Sequence, residues 1–423
     1  MNQEQLFKLA NNNSNIRQNE KIVVFGVGGG GGNALNHIIE SNVQGVDFVA
    51  ANTDARALDK NLAPNKIILG ENLTRGLGAG ANPQVGTNAA KESLEKIKEY
   101  ITGIDMLFVT AGMGGGTGTG AAPVIAGAAK DMGVLVVGVV TKPFGFELSK
   151  RMRTAELGIE DLKKNVDALL IVENDRLIQM ENGAKMKIAD AYKKVDEVLR
   201  QAVQGVTDLI TQNGFINLDF ADIKAILTGA GTAIMGMGEG EGEDRAKKAA
   251  QNAITSPLMT VPVTGAKGIL LNVTTGNEIM LGEMADAARI IEDTADPDAQ
   301  VIWGHVFDET LGEKVHVTLI ATFPEDVGGN ARRATTIQNP VQRAAAAQPQ
   351  PNVKQPVQPQ PPQPQSIRTT NTIWDIYKSN RVRQQTQALE ESRLNLPNDD
   401  GAFPGLQKKF YDQPSLYRRP RKD

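Results

Sequence analysis

The chain predicts an α/β protein whose parallel sheet is covered by helices on both faces, and three observations support this. From Lys21 to about Thr211, short apolar segments alternate with longer amphipathic ones. The apolar segments are rich in Val, Ile and Leu without polar alternation, as in strands buried on both faces. Glycine-rich runs follow two of these segments, where ligands bind in such sheets. We therefore expect a Rossmann-like domain over residues 21–184.

Six apolar segments of this domain are strand candidates because each is short and bounded by turn-forming residues. They are Ile22–Phe25, Phe48–Ala51, Ile67–Leu69, Met106–Thr110, Val134–Val140 and Leu169–Val172.

A long helix is predicted next, over Lys185–Thr211, with Asn213-Gly214 marking its end. Its apolar residues recur at spacings of three and four. At 1.5 Å per residue it would extend roughly 40 Å. We expect this helix, residues 185–212, to form a spine between two domains.

A smaller α/β domain is expected over residues 213–323, with strands and helices in mixed order. The helix candidates are Asp244–Ile254 and Leu281–Thr294. The strand candidates are Ile223–Leu227, Ile269–Val273, Val301–Val306 and Val315–Thr322.

The two ends of the chain have compositions that do not favour a packed core. Residues 1–20 are polar and predicted to be a disordered extension, and residues 324–407 contain a Pro- and Gln-rich linker, also predicted to be disordered. Residues 408–423 combine Leu and Tyr with Arg and Lys, which suits a docking peptide or a solvated tail equally well.

Composition narrows the function classes. The net charge of −4 over 423 residues argues against nucleic acid as the main partner. Cysteine is absent, which excludes disulfides and thiolate metal sites, and the three histidines lack metal-ligand spacing. We expect a cytoplasmic protein, because no signal peptide or apolar span of about 20 residues is evident.

The first glycine run, Gly26–Asn33, reads GVGGGGGN and fits the pattern GxGxxG. Asp54 ends the next strand, near where a dinucleotide-binding fold places its ribose-binding acid. A tight turn between strand and helix is the alternative interpretation.

The second run, GMGGGTGTG over Gly112–Gly120, is more specific because six of its nine residues are glycine. Glycine lets a backbone approach a ligand closely, and the following helix adds partial positive charge. The chain lacks the GxxxxGK[ST] pattern of a P-loop. Two such loops predict a polyphosphate held from two sides, and hence a nucleotide-binding protein.

Motifs along the chain resemble the tubulin superfamily, and within it the bacterial FtsZ family. GGGTGTG at Gly114–Gly120 is similar to the superfamily's signature. The other matching segments are GVGGGGGNA at Gly26–Ala34, ANTD at Ala51–Asp54, TRGLGAGANP at Thr74–Pro83, TKPF at Thr141–Phe144, NDRL at Asn174–Leu177 and NLDFAD at Asn217–Asp222.

The resemblance implies a GTPase that binds GTP and GDP through specific residues. The matching phosphate-loop positions are Gly29, Gly30, Gly31, Gly32 and Asn33 in the first loop and Gly116, Thr117 and Gly118 in the second. Glu147 and Arg151 match the family's ribose and nucleotide contacts, although their spacing also suits an i,i+4 ion pair. Asn174 and Asp196 match its guanine contacts, although Asp196 could be a solvated helix residue.

The resemblance also implies that hydrolysis requires a second subunit. Asp219 and Asp222, with Asn217 in the same segment, are the candidates for positioning water, although Asp219 could simply cap a helix. They follow the spine helix, whose other end carries Asp196, so they should lie far from the nucleotide of their own subunit. A head-to-tail filament would supply them to the neighbour's GTP. Mg²⁺ is expected on the phosphates, with no protein ligand identified.

The family's filaments form the cell-division (Z) ring, which implies a role in septation at mid-cell under the inner membrane. The terminal segment Asp412–Arg418 resembles the family's docking peptide for a membrane tether such as FtsA and for division regulators. Leu416-Tyr417 replaces the usual Phe-Leu pair. Glu173, directly before Asn174, stands where many relatives have proline.

Two other functions remain open at this point. The pattern GxGxxG with Asp54 also fits an NAD(P)-dependent oxidoreductase, although that leaves the second glycine run unexplained. A non-hydrolysing structural relative of tubulin is the other alternative, and the presence of both Asp219 and Asp222 disfavours it.

Overall fold

The computed structural model describes residues 20–178, 185–212, 216, 218–276 and 278–323. These residues form one ten-stranded sheet with helices on both faces. The strands are β1 Ile22–Val27, β2 Val46–Asn52, β3 Asn65–Ile68, β4 Met106–Gly112, β5 Leu135–Lys142, β6 Ala168–Glu173, β7 Gly231–Gly240, β8 Gly268–Thr275, β9 Gln300–Phe307 and β10 Val315–Phe323. The helices are α1 Gly28–Glu40, α2 Ala55–Asp59, α3 Glu71–Thr74, α4 Pro83–Glu92, α5 Leu94–Ile101, α6 Thr117–Asp131, α7 Ser149–Asn165, α8 Asn174–Ile178, α9 Ile188–Thr211, α10 Phe220–Leu227, α11 Arg245–Ile254 and α12 Leu281–Thr294.

The sheet runs in the order β3-β2-β1-β4-β5-β6-β7-β10-β8-β9. Every pair from β3 to β7 is parallel. β10 is antiparallel to both β7 and β8, whereas β9 is parallel to β8. The predicted Rossmann-like sheet with a second, mixed α/β region is confirmed, and the sheet continues between the two through β6 and β7.

Alternate residues of the central strands belong to different cores, which explains their uninterrupted apolar sequence. Ile22 and Val24 of β1 pack in a cluster with residues of α1, α9 and α10. Val23 and Phe25 pack in another cluster with residues of α4–α7. Side chains alternate along a strand, so burial on both faces requires an apolar residue at every position.

The long predicted helix is present as α9, which has 24 residues and a length of about 36 Å. Its buried residues include Val195, Val198, Ala202, Val206 and Leu209, at the spacings of three and four that predicted it. They pack in the same cluster as residues of β1, β5, β6 and β8. The helix therefore lies against one face of the sheet.

The strand predicted at Ile223–Leu227 is wrong, because these residues belong to the helix α10. Ile223, Ile226 and Leu227 are buried, and their spacing of three and four is that of one helix face. A short apolar run is compatible with either a strand or a helix. Asp219 decides between them by capping the helix: its carboxylate accepts a hydrogen bond from Asp222 N at 2.9 Å.

The sequence analysis does not predict the strand β7, because glycine is uncommon in strands and this segment contains several. Gly236, Gly238 and Gly240 occupy every second position and so point to the same face. A Cβ at any of them would collide with a backbone carbonyl oxygen of α11. Glycine here allows a helix backbone to lie directly on the strand.

Several sequence predictions fall outside the described residues. These are the N-terminal extension, Asn213-Gly214, Asn217, the linker and the docking peptide Asp412–Arg418. Among the helices that the structure describes, none has the length and apolarity needed to cross a membrane.

Candidate nucleotide-binding site

The two glycine loops meet at the carboxyl ends of two neighbouring parallel strands. β1 and β4 are paired along their length, with Val27 opposite Ala111. A Cβ on Gly28 would lie 2.7 Å from Gly118 N, and one on Gly30 would lie 3.0 Å from Gly112 Cα. Since real Cβ atoms essentially never come as close as 2.7 Å, the loops can touch only because they are glycine. The two glycine runs, Gly26–Asn33 and Gly112–Gly120, therefore contact each other, and we refer to them together as the cradle.

Each glycine run extends into the first turns of a helix whose N-terminus has no side-chain cap. α1 begins at Gly28 and α6 at Thr117, and neither N-cap residue makes a side-chain hydrogen bond. The first N–H groups of a helix lack partners within the helix and favour an anion. Two uncapped helix N-termini at one edge suit a polyphosphate.

The glycines of the cradle fall into two kinds, which the sequence could not separate. Gly31 and Gly116 pack against protein backbone, at Thr110 O and Asn82 N respectively. Gly29 and Gly115 have no atom within 4 Å of their Cβ positions. Contacts among the described residues therefore do not explain why these two positions are glycine, and both are open to solvent.

Hydroxyl groups complete the second loop. The side-chain oxygens of Thr117 and Thr53 lie 2.6 Å apart, which links the segment after β2 to the start of α6. Thr119 Oγ1 accepts a hydrogen bond from Gly114 N at 2.9 Å and so is used within the loop. The sequence analysis identified Thr117 but not Thr53.

Of the remaining phosphate-loop candidates, Gly32 and Asn33 lie in the first turns of α1. Gly32 O accepts a hydrogen bond from Asn61 Nδ2 at 2.8 Å, whereas the Asn33 side chain is exposed. A cavity of about 450 Å³ borders both residues. The candidates of the first loop therefore lie together.

Asn174 and Asp196 lie on the adjacent helices α8 and α9. Asn174 is buried, and its Oδ1 has no hydrogen-bond partner among the described residues. Burial raises the pKa of Asp196 to about 6, an effect that His37 reduces. A buried acceptor without a partner is costly, and a ligand with N–H donors would satisfy it. Both groups therefore suit the N1–H and N2–H₂ edge of guanine.

Glu147 and Arg151 form the ion pair that their spacing suggested, at 3.0 Å. Glu147 also accepts a hydrogen bond from Phe144 N at 2.9 Å, so its carboxylate is used within the protein. Arg151 packs beside the second loop, since its Cγ lies 2.7 Å from the Cβ position of Gly114. Its side chain is 52% exposed, so the guanidinium is accessible at this loop.

Tyr192 is an aromatic residue of this region that sequence reasoning missed. Its ring meets the edge of Phe144 at a centroid distance of 5.4 Å, and Phe144 stacks on Phe146 at 5.0 Å. Burial, together with Glu147, raises the pKa of Tyr192. Tyr192 precedes Asp196 by four residues, so the i,i+4 spacing on the predicted helix could have revealed it.

Asp54 has a structural role that accounts for the oxidoreductase-like pattern. Its carboxylate caps α2, accepting hydrogen bonds from Arg56 N at 3.0 Å and Ala57 N at 3.4 Å. Helix capping by itself accounts for an aspartate at this position, so Asp54 does not indicate a ribose-binding site.

Asp219 and Asp222 lie at the other edge of the sheet. The start of β7 pairs with the start of β6, and β10 ends beside the start of β7. Gly268 at the start of β8 pairs with Thr322 near the end of β10, and Ile226 of α10 lies 3.1 Å from the Cβ position of Gly268. α10 is therefore at the amino-terminal edge of β6, opposite the glycine loops.

The separation along α9 agrees with this placement. Asp196 and Thr211 are 15 residues apart, a rise of about 22 Å, and Asp219 follows beyond the end of the helix. The side chains of Asp219 and Asp222 are exposed. The glycine runs and Asn174 thus follow the carboxyl ends of their strands, and the helix that carries Asp196 is adjacent to the helix that begins at Asn174. Asp219 and Asp222 are not part of this arrangement.

Two family models match the chain. The Tubulin/FtsZ family GTPase domain covers residues 21–182, and the C-terminal domain of the FtsZ family covers residues 231–323. The first range carries the two glycine loops, and the second carries β7–β10.

Two solved structures are similar to this chain. An empty FtsZ dimer from M. jannaschii is 42% identical with a TM-score of 0.71, covering 77% of this chain and 94% of that one. CetZ2 from Haloferax volcanii, in a GTPγS-bound protofilament, is 21% identical with a TM-score of 0.60, covering 74% of this chain and 97% of that one, and it supports the fold alone.

The fold and the paired glycine loops define a tubulin-like GTPase, which binds GTP and GDP. More specifically, the chain belongs to the FtsZ family. An oxidoreductase is no longer a competing interpretation.

Proposed function

We propose that this chain assembles head to tail into GTP-dependent filaments and hydrolyses GTP at the contact between subunits. One subunit would bind GTP through the cradle, Glu147, Arg151, Asn174 and Asp196. The next subunit would supply Asp219 and Asp222 to position the attacking water. Asn217 belongs to this set by sequence and lies outside the described residues.

The observation that carries this proposal is the placement of binding and candidate catalytic residues at opposite edges of one sheet. α10 packs near the starts of β7 and β8, at the edge opposite the glycine runs, and the side chains of Asp219 and Asp222 are exposed. A contact between two different surfaces of the same molecule repeats without closing and produces filaments. The M. jannaschii relative is described as a dimer, which is consistent with self-association.

Mg²⁺ is proposed to bind the phosphate oxygens, since hard cations prefer oxygen ligands. In the part of the chain that the structure describes, no three His, Asp or Glu side chains are close enough together to hold a metal. We therefore assign it no protein ligand. Titration with EDTA should abolish turnover, and excess Mg²⁺ should restore it.

In the cell, we propose that these filaments form the division ring at mid-cell on the cytoplasmic side of the inner membrane. The segment Asp412–Arg418 would dock onto a membrane tether such as FtsA and onto division regulators. The CetZ relatives share the fold, so fold alone does not select this role. A fluorescent fusion should form one band at the constriction, and depletion should block septation; dispersed filaments with normal division would refute it.

The shared active site can be tested by mixing two inactive variants. Asp222→Asn leaves the cradle intact, whereas Gly29→Val places a side chain on the open side of the cradle. Each variant alone should hydrolyse GTP very slowly. An equal mixture should regain turnover at up to about one contact in four, where an intact cradle meets an intact Asp222. A mixture as inactive as its components would show that the aspartates do not act between subunits.

A further inference from the structure

Asn174 lies between two acidic residues, of which Glu173 contacts the end of β5 and Asp175 contacts the segment after it. On one side, Glu173 contacts Lys142 and Arg176. On the other side, Asp175 Oδ1 accepts a hydrogen bond from Gly145 N at 2.9 Å. Asn174, whose buried Oδ1 has no partner among the residues that the structure describes, is thus held by contacts of both of its neighbours in the chain.

The contacts of Glu173 reach two different elements. Its Oε1 is 3.2 Å from Lys142 Nζ at the end of β5, and its Oε2 is 3.2 Å from Arg176 Nε in α8. Lys142 and Glu173 are directly opposite each other in the sheet. Glu173, at the end of β6, therefore connects Lys142 at the end of β5 with Arg176 in the first turn of α8.

Partial burial strengthens the ion pair between Glu173 and Lys142. The side chain of Glu173 is 34% exposed and that of Lys142 only 20% exposed, so water screens the pair incompletely. Burial by itself would raise the pKa of Glu173, but Lys142 and Arg176 hold it below its usual value. The residue is thus a carboxylate at neutral pH.

We propose that Glu173 is a positioning residue for the guanine site, holding Asn174 through its bridge between Lys142 and Arg176. The inference rests on the proposed guanine contact of Asn174.

The test is a double-mutant cycle on the affinity for a fluorescent GDP analogue, measured in dilute protein without GTP. Glu173→Gln keeps the shape of the side chain and removes its charge. It should weaken GDP binding about fivefold, the effect of losing a partly buried ion pair. In the Asn174→Ala background the same substitution should change affinity less than twofold, because its effect is transmitted through Asn174.

Two controls define the comparison. Glu99→Gln, at an exposed position on α5, should leave GDP affinity unchanged. Lys142→Met removes the bridge from the other side and should reproduce the Glu173→Gln effect, including its dependence on Asn174. Circular dichroism melting of each variant establishes that it is folded.

The possible outcomes distinguish failure of the positioning role of Glu173 from failure of the guanine contact of Asn174. An equal loss of affinity from Glu173→Gln in both backgrounds, or no loss in either, would overturn the positioning role while leaving the guanine contact intact. Unchanged affinity in Asn174→Ala would instead refute the guanine contact, and the positioning role with it. A loss of affinity confined to the background with Asn174 supports both.

Discussion

The two edges of the sheet differ in how far a single chain completes them. At the carboxyl edge, two glycine loops contact each other, and the buried Asn174 Oδ1 has no hydrogen-bond partner within the part of the chain that the structure describes. At the opposite edge, Asp219 and Asp222 are exposed, and the only described contact of Asp219 besides backbone pairing caps its own helix. We therefore expect that mutations can impair nucleotide binding and GTP hydrolysis independently of each other.

The largest expected effect is on hydrolysis. Asp222→Asn or Asp219→Asn should lower GTP turnover by about 10²–10³-fold, the usual contribution of a residue that orients or deprotonates water. GDP affinity should stay within about twofold, because neither residue is at the cradle. Steady-state GTPase assays and GDP titrations measure the two quantities. Loss of both together would remove the distinction between the edges.

Asp219→Asn has a useful companion in Asp219→Ala. Asparagine caps a helix about as well as aspartate, so the Asn variant should keep its stability. Alanine should cost about 1 kcal/mol of unfolding free energy through the lost cap. Urea unfolding distinguishes this structural role from the catalytic one.

The next largest effect separates the two kinds of glycine in the cradle. Gly31→Ala places a Cβ against Thr110 O and should lower the unfolding free energy by about 3 kcal/mol. Gly115→Ala meets open space, so it should change stability by less than about 1 kcal/mol. It should nevertheless weaken nucleotide binding. Equal destabilisation by both substitutions would contradict the assignment.

A smaller effect is expected from pH. With its pKa raised to about 6, Asp196 accepts guanine N–H groups only above that value, so GDP affinity should fall about tenfold per pH unit below 6. His37 from α1, together with Glu197 and Arg200 on α9, also faces this region. Comparing wild type with Asp196→Asn at each pH isolates Asp196, and an identical profile in the variant would exclude it.

The stability of the ligand-free protein should respond in the opposite sense. Since the folded state raises the pKa of Asp196 from 3.8 to about 6, it binds this proton more tightly than the unfolded chain. The resulting stabilisation is fully present below pH 3.8 and is lost as the pH rises through about 6. Unfolding of Asp196→Asn should lack this component.

The smallest effect is expected from Arg151. Because its ion pair with Glu147 is half exposed, Arg151→Gln should change the unfolding free energy by less than about 1 kcal/mol. Its position beside the second loop predicts a two- to threefold loss of GDP affinity, the size of one exposed charge contact. No change in affinity would leave the pair purely structural.

The sequence predicted the parallel strands, α9 and the glycine cradle because each depends on a local pattern. Strands buried on both faces must be apolar throughout, and α9 carries its apolar residues at spacings of three and four. β7 and α10 escaped because their patterns are ambiguous locally. Glycines in β7 are explained only by the helix backbone lying on them, and the apolar run of α10 only by the cap at Asp219.

The glycine runs by themselves predicted a phosphate-binding site, whereas the guanine-contact pair and the two candidate hydrolytic carboxylates were predicted from the family resemblance. Only long-range packing could decide that Gly29 and Gly115 face open space, that Glu173 bridges Lys142 and Arg176, and that Asp219 lies across the sheet from Asn174. The physical reason is that periodicity and spacing report neighbours within a few residues. Strand order and register decide which distant segments share an edge.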